Sequence, residues 1–458
     1  MKRKGLLSKR CLAGVLAALL ICQAMPISAA AVETLSAGET VYGPEETIQV
    51  TGSDLSGRNI NFNSGWKFNL GDNSSASEPN FNDSAWEEVM LPHDFSISQN
   101  FTTSGEAESG FLPGGTGWYR KSFTVPASES GNTVILNFDG VYSDAYVYVN
   151  GTYVGENHYG YSNFSFDISD YLTMDGVTEN VIAVRAVNNV PTSRWYSGSG
   201  IYRDVTLDIV KPVHVADNGT FVTTPDIENN KGTVEVAVDV VNDSDSTAEV
   251  TITNTVVETN DSESTTQTVG AGATSTVTTS CEVLSPELWS IDDPNLYTVR
   301  TELSVNDEVV DTYDTTFGFR WYSFDSSGFH LNGENMKLNG VCLHHDQGAA
   351  GAAAYDDAMY RQLSIMKDMG VNAIRTSHNP ADEDFIDICN ELGFVVIEEL
   401  FDGWVEAKNA NYNDFSSYFE QSVGANGPDG STSSMTWAEF AAKSVVKRDR
   451  NDPSIILW

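Results

Sequence analysis

From Asn59 to Val213 the apolar residues come in short runs separated by turn-forming stretches: Ser122 to Val125, Val134 to Phe138, Ala145 to Val149, Val181 to Val187 and Val205 to Val210. Runs of this length are strand-sized, and the segments between them lack the three-and-four spacing of an amphipathic helix. Asn150-Gly151 stands between Tyr146 to Val149 and Thr152 to Val154, where it supplies the two positive-φ positions of a type I′ hairpin turn. The pattern predicts a β jelly-roll sandwich over residues 59–213.

Residues 214–320 change to longer alternating runs with few aromatics. Thr233 to Val240 and Glu249 to Thr253 carry valine or isoleucine at every second position, as strands with one buried and one solvated face do. Turn-rich segments at Asn242 to Ser246 and Asn260 to Thr265 separate the strands. A span of roughly a hundred residues suits an immunoglobulin-like β-sandwich, without the Cys and Trp spacing of antibody domains.

After Trp321 strand and helix periods alternate. Lys337 to Leu343 predicts a strand, and Met359, Leu363 and Met366 mark one face of a helix that Gly370 stops. A strand over Asn372 to Arg375 leads to a second helix, with Asn379 as N-cap, Pro380 in the first turn and Asp382, Glu383 and Asp384 at the positive end of its dipole. Its buried stripe is Phe385, Ile388, Cys389 and Leu392, and Gly393 ends it. Val395 to Ile397 is continuous and apolar, like a parallel strand covered on both faces. A Gly/Ser-rich stretch from Gln421 to Ser434, a helix from Trp437 to Lys447 and a strand from Ser454 to Trp458 follow. A closed barrel takes eight such units, so residues 321–458 are either a small open sheet or the first half of a barrel.

The N-terminus adds an address. Lys2, Arg3, Lys4, Lys9 and Arg10 precede an apolar run from Leu12 to Ile21 and small residues at Ser28, Ala29 and Ala30, the layout of a signal peptide over 1–30, with a linker over 31–58. No later stretch reaches the roughly 20 apolar residues of a transmembrane helix, so the expectation is a protein secreted by a bacterium or held at its surface. A formal net charge of -39 disfavours nucleic acid and is compatible with a neutral sugar. Cys281, Cys342 and Cys389 fit neither a disulfide framework nor a zinc cluster and read as core thiols.

Asn372-Ala373-Ile374-Arg375-Thr376-Ser377-His378-Asn379-Pro380, followed after one helix by Gly393-Phe394-Val395-Val396-Ile397-Glu398-Glu399, resembles a signature of glycoside hydrolase family 2. Ser193 to Arg203, Pro286-Glu287-Leu288-Trp289, Pro294 to Tyr297, Gly318-Phe319-Arg320 and Leu338 to Asp346 are similar to family strings too. The resemblance implies a jelly-roll sugar-binding domain, an immunoglobulin-like domain and a (β/α)8 TIM barrel, of which 321–458 is an incomplete first half. Leu400-Phe401-Asp402-Gly403-Trp404 with Lys408 is most similar to the β-galactosidases of that family.

Side chains that follow parallel barrel strands gather at the C-terminal face, where substrate binds. There Asp402 can accept from adjacent sugar hydroxyls while Lys408 donates to them. Arg375 and His378 after the second strand, His344 at the end of the first, and Arg194 on a domain-one loop that reaches the barrel mouth in similar galactosidases complete the expected substrate-binding set. Taken singly, each also reads as a structural ion pair.

Glu399 and Asp402 invite assignment as the catalytic pair, because a retaining glycosidase needs two carboxyl groups roughly 5 Å apart. The family instead places its acid/base Glu after the fourth strand, in a run like Pro-Ser-Ile-Ile-Leu-Trp-Ser-x-Gly-Asn-Glu, and its nucleophile after the seventh. Arg450 to Trp458 matches the start of that run. The resemblance therefore implies that both catalytic Glu lie beyond Trp458, that no residue of this chain is catalytic, and that the chain alone is inactive. No metal-ligand set and no phosphate-binding loop is recognised, and no cofactor is expected. Two rivals remain. One is a β-glucuronidase or β-mannosidase on the same scaffold, against which Asp402 would repel a uronide. The other is a secreted non-catalytic carbohydrate-binding protein.

Overall fold

The computed structural model describes residues 55–458. The expected signal peptide and nearly all of the expected linker lie outside the described residues. Among the described residues no helix is long and apolar enough to cross a membrane.

The first domain is a jelly-roll sandwich. A sheet ordered Gly57–Asn61, Val205–Val210, Thr133–Phe138, Phe164–Asp167 faces a sheet ordered Glu87–Val89, Trp66–Leu70, Gly115–Phe123, Asn180–Asn188, Asp144–Val149, Thr152–Asn157. Trp66, Tyr119, Phe138, Phe164, Ile182 and Leu207 fill the space between them. Asn150 and Gly151, at φ 50° and 83°, make the predicted hairpin.

In the immunoglobulin-like domain Val234, Val236, Val238 and Val240 of strand Lys231–Asn242 face Val250, Ile252, Val299 and Leu303 of the opposite sheet. The predicted turn over Asn260 to Thr265 is corrected: Asp261–Val269 is a strand paired along its length with Ala248–Val256. Its Ser, Thr and Glu residues face water at a sheet edge, so no apolar alternation marks it.

The third domain opens with a small antiparallel sheet and continues as four parallel strands in chain order. These are β1 (Gly340–Leu343), β2 (Ala373–Thr376), β3 (Val395–Glu398) and β4 (Ile455–Leu457), with helices α1 (Asp356–Asp368), α2 (Glu383–Leu392) and α3 (Trp437–Asp449) between them. It is a partial TIM barrel. β1 starts later than predicted, at Gly340. The N-cap of α2 is also corrected: Asp382, not Asn379, accepts from the Asp384 N–H. Arg203 takes the Pro380 carbonyl and Arg448 the Ala381 carbonyl, which keeps the chain extended up to Asp382. Asn379 accepts instead from Tyr159 Oη at 3.0 Å. Of the expected core thiols only Cys389 is buried, while Cys342 is exposed, on the same pleat of the barrel sheet as Arg375, whose Nη1 lies 3.6 Å from its sulfur.

Candidate functional site

β1 to β3 deliver their following residues to one end of the sheet, and the jelly-roll loop over 193–199 folds onto that end. Gly198 allows the close approach: it sits at φ +69°, and a Cβ there would come within 2.5 Å of the Ala352 Cβ. Tyr196 on the same loop donates to Asp94 Oδ2 at 2.5 Å, and Asp94 also accepts from the Ala352 N–H. The loop is therefore braced against both domains.

Two charged groups result. In the first, Arg194 Nε and Nη2 reach the two oxygens of Asp402 at 2.9 and 2.5 Å, and Lys408 Nζ adds a contact of 3.3 Å. Burial would raise the Asp402 carboxyl, but the hydrogen bonds and charge of Arg194, then those of Lys408, hold it below the usual carboxylate range. In the second, Arg375 Nε and Nη2 donate to Glu399 Oε1 at 3.0 and 2.6 Å, and His378 Nδ1 lies 2.8 Å from Oε2. The Glu399 N–H is held by Thr376 Oγ1. His344 lies between these groups and the jelly-roll loop, its ring 5.8 Å from that of His378. Burial, then the neighbouring His378, lower its pKa.

The structure thus brings Arg194, His344, Arg375, His378, Asp402 and Lys408 to one end of the parallel sheet. Glu399, set aside above as a catalytic candidate, braces Arg375 and His378, and sequence reasoning missed one further member, Trp195, whose ring stands 4.2 Å from that of His344. Trp195 stood next to Arg194 in the quoted string, but nothing in its spacing reveals a ring contact with a distant barrel strand. Glu398, by contrast, is buried and belongs to the packing beneath the site. Among the described residues no group of three or more His, Cys, Asp or Glu is placed to hold a metal ion.

His345 turns away from the site. Its Nε2 meets the Ser197 carbonyl at 3.2 Å, and its ring packs edge-on to Tyr161. Burial pulls its pKa down to about 4. The unfolded imidazole takes its proton near pH 6.5, so the unfolded state binds more protons between these values. The neutral ring's contribution is complete above pH 6.5 and is lost as pH falls toward 4. We expect the unfolding free energy of the wild-type chain, measured by urea titration, to drop more steeply across that window than that of His345→Gln, by at most about 3 kcal/mol.

Two β-sandwiches in series are followed by a parallel β/α sheet whose C-terminal end, the face at which barrel enzymes hold their substrates, gathers arginines, histidines, a lysine and carboxylates. Residues 60–212 match the sugar binding domain of glycosyl hydrolases family 2, residues 213–320 a second domain of that family, and residues 324–458 its TIM barrel domain. The chain belongs to glycosyl hydrolase family 2. It is 40% identical over 405 residues to the β-galactosidase BoGH2A of Bacteroides ovatus, covering 87% of this chain and 45% of that protein. The crystal structure of a family 2 member from Bacteroides cellulosilyticus superposes with a TM-score of 0.81 at 38% identity, over 88% of this chain and 51% of that one. That of a Bacteroides uniformis β-glucuronidase does so at 0.73 and 30%, over 86% and 46%. The chain spans about half the length, or less, of the first curated relatives it matches.

Proposed function

We propose that these residues form the scaffold and part of the sugar-holding wall of a secreted enzyme that hydrolyses terminal β-galactosides with retention of configuration. The observation that carries this reading is Asp402, held as a carboxylate between Arg194 and Lys408 at the substrate face of the barrel sheet. It offers acceptors, and Lys408 and Arg194 donors, to neighbouring hydroxyls of one sugar. The β-galactosidase relative at 40% identity favours the same substrate.

Retention needs one carboxyl group kept protonated as acid and a second free to attack. Glu399 accepts from Arg375 and faces His378, and Asp402 is held ionised; both are anchors rather than an acid and a nucleophile. We expect this chain by itself to turn over a chromogenic β-galactoside at no more than background, and a polypeptide whose barrel is completed to eight strands to turn it over at ordinary glycosidase rates. Turnover by the chain alone at the rate of the longer polypeptide would refute the assignment of Glu399 and Asp402.

A β-glucuronidase reading gains from one observation. Repulsion by Asp402 was the argument against a uronide, yet that carboxylate is neutralised twice, by Arg194 and by Lys408. The cluster is net positive, so the repulsion argument does not hold. Comparing aryl β-galactoside with aryl β-glucuronide in the longer polypeptide decides between the two, and faster cleavage of the glucuronide would overturn the galactoside assignment.

A further inference from the structure

We propose that Trp195, on the jelly-roll loop, is the platform on which the apolar face of the bound hexopyranose stacks, so that the first domain helps to set which sugar the site accepts. The inference rests on the glycosidase reading above and deepens it.

Barrel and loop side chains pack against the indole. Its ring is 4.2 Å from the His344 ring at 36° between planes, and 5.9 Å from the His378 ring. The Arg194 guanidinium lies 5.7 Å from its centroid. Even so, Trp195 remains 39% exposed, a large apolar surface left open beside a group of charged and polar side chains. The residues on either side of it are pinned, Arg194 to Asp402 and Tyr196 to Asp94. Little conformational freedom therefore remains to be lost when a ligand covers the ring.

A pyranose matches this arrangement because it is apolar on its faces and polar around its edge. In a β-galactoside the axial hydroxyl at C4 leaves the C–H groups of C3, C4 and C5 on one face. Those weakly positive hydrogens suit the negative face of an indole. With that face on Trp195, the hydroxyl edge can turn toward the donors and acceptors of the neighbouring Arg194, Asp402 and Lys408 cluster.

The test is saturation-transfer NMR on this chain with methyl β-D-galactopyranoside and, separately, methyl β-D-glucopyranosiduronate. Wild type, Trp195→Ala and Trp195→Phe are compared, each checked for folding by circular dichroism. We expect saturation concentrated on H3, H4 and H5 of the galactoside, affinity roughly tenfold weaker in Trp195→Ala, and recovery to within about threefold in Trp195→Phe. Binding of the uronide alone, with the same dependence on Trp195, would keep the platform and remove the galactoside reading. Equal affinity in wild type and Trp195→Ala, or no saturable binding of either sugar, overturns the platform, and the galactoside reading then stands or falls on the hydrolysis assay.

Discussion

Arg448→Met is expected to lower the unfolding free energy by about 3–5 kcal/mol, the largest loss of stability from any single replacement considered for this chain. Arg448 is buried in α3 and holds groups from two domains. Its Nη1 bonds Asp139 of the jelly roll at 2.6 Å, its Nε and Nη2 bond Asp449 at 2.5 and 2.8 Å, and Nη2 also donates to the Ala381 carbonyl at 2.8 Å. Burial opposes its charge, but Asp449 and Asp139 outweigh burial and raise its pKa well above the ordinary value. Methionine fills much of the volume and leaves Asp139 and Asp449 buried with less compensation, which is the costly way to break such a group.

The pH dependence separates this cause from lost packing. In the wild type burial would raise the Asp139 pKa, but Arg448 and Arg203 hold it below the usual range. Its stabilising contribution is then present above the unfolded value near 4 and lost as pH falls through the folded one. In the variant the balance tips toward burial and the folded pKa rises, so that stability is lost as pH increases. The deficit relative to wild type should shrink as pH is lowered from 7 to 5. A deficit that does not change over this range, measured by urea unfolding, would assign the loss to packing alone.

The same group explains what the chain pattern made legible and what it hid. The Asn150-Gly151 hairpin, the valine alternation of Thr233 to Val240 and the apolar run at Val395 are local, and each was readable because neighbouring residues alone decide it. The start of α2 was not. Asn379 is an acceptable cap by composition, but Arg203 and Arg448, from a jelly-roll strand end and a later helix, take the Pro380 and Ala381 carbonyls and move the helix start to Asp382. Strand Asp261–Val269 was invisible because its residues are polar on the face that meets water and its pairing comes from the partner strand. At the site, the residue types were legible through resemblance to the family, while their pairing was not. Arg194 and Asp402 are 208 positions apart, and only the packing of the jelly-roll loop onto the barrel joins them.

Arg194→Ala, made in a polypeptide whose barrel is complete, is expected to reduce kcat/KM for an aryl β-galactoside by about 10²-fold. Stability should fall by about 1–3 kcal/mol. Two N–H groups of the guanidinium fix both oxygens of Asp402, whereas Lys408 touches only Oδ1, at 3.3 Å. Without Arg194 the carboxylate can rotate, and its acceptors no longer meet two sugar hydroxyls at once. Arg194→Lys should recover little, because an ammonium cannot make the two parallel bonds. The pH profile gives an independent sign. Burial pushes the Asp402 pKa up and Arg194 is the main force holding it down, so its removal moves the acid limb of the rate profile to higher pH. Charge supplies the final discrimination. Loss of one cation takes the Arg194, Lys408 and Asp402 cluster from net positive to neutral, which should cost a glucuronide more than a galactoside. If Arg194→Ala keeps wild-type kcat/KM within about threefold on both substrates and leaves the acid limb in place, the Arg194–Asp402 pair is a brace between domains and not part of the sugar-holding wall.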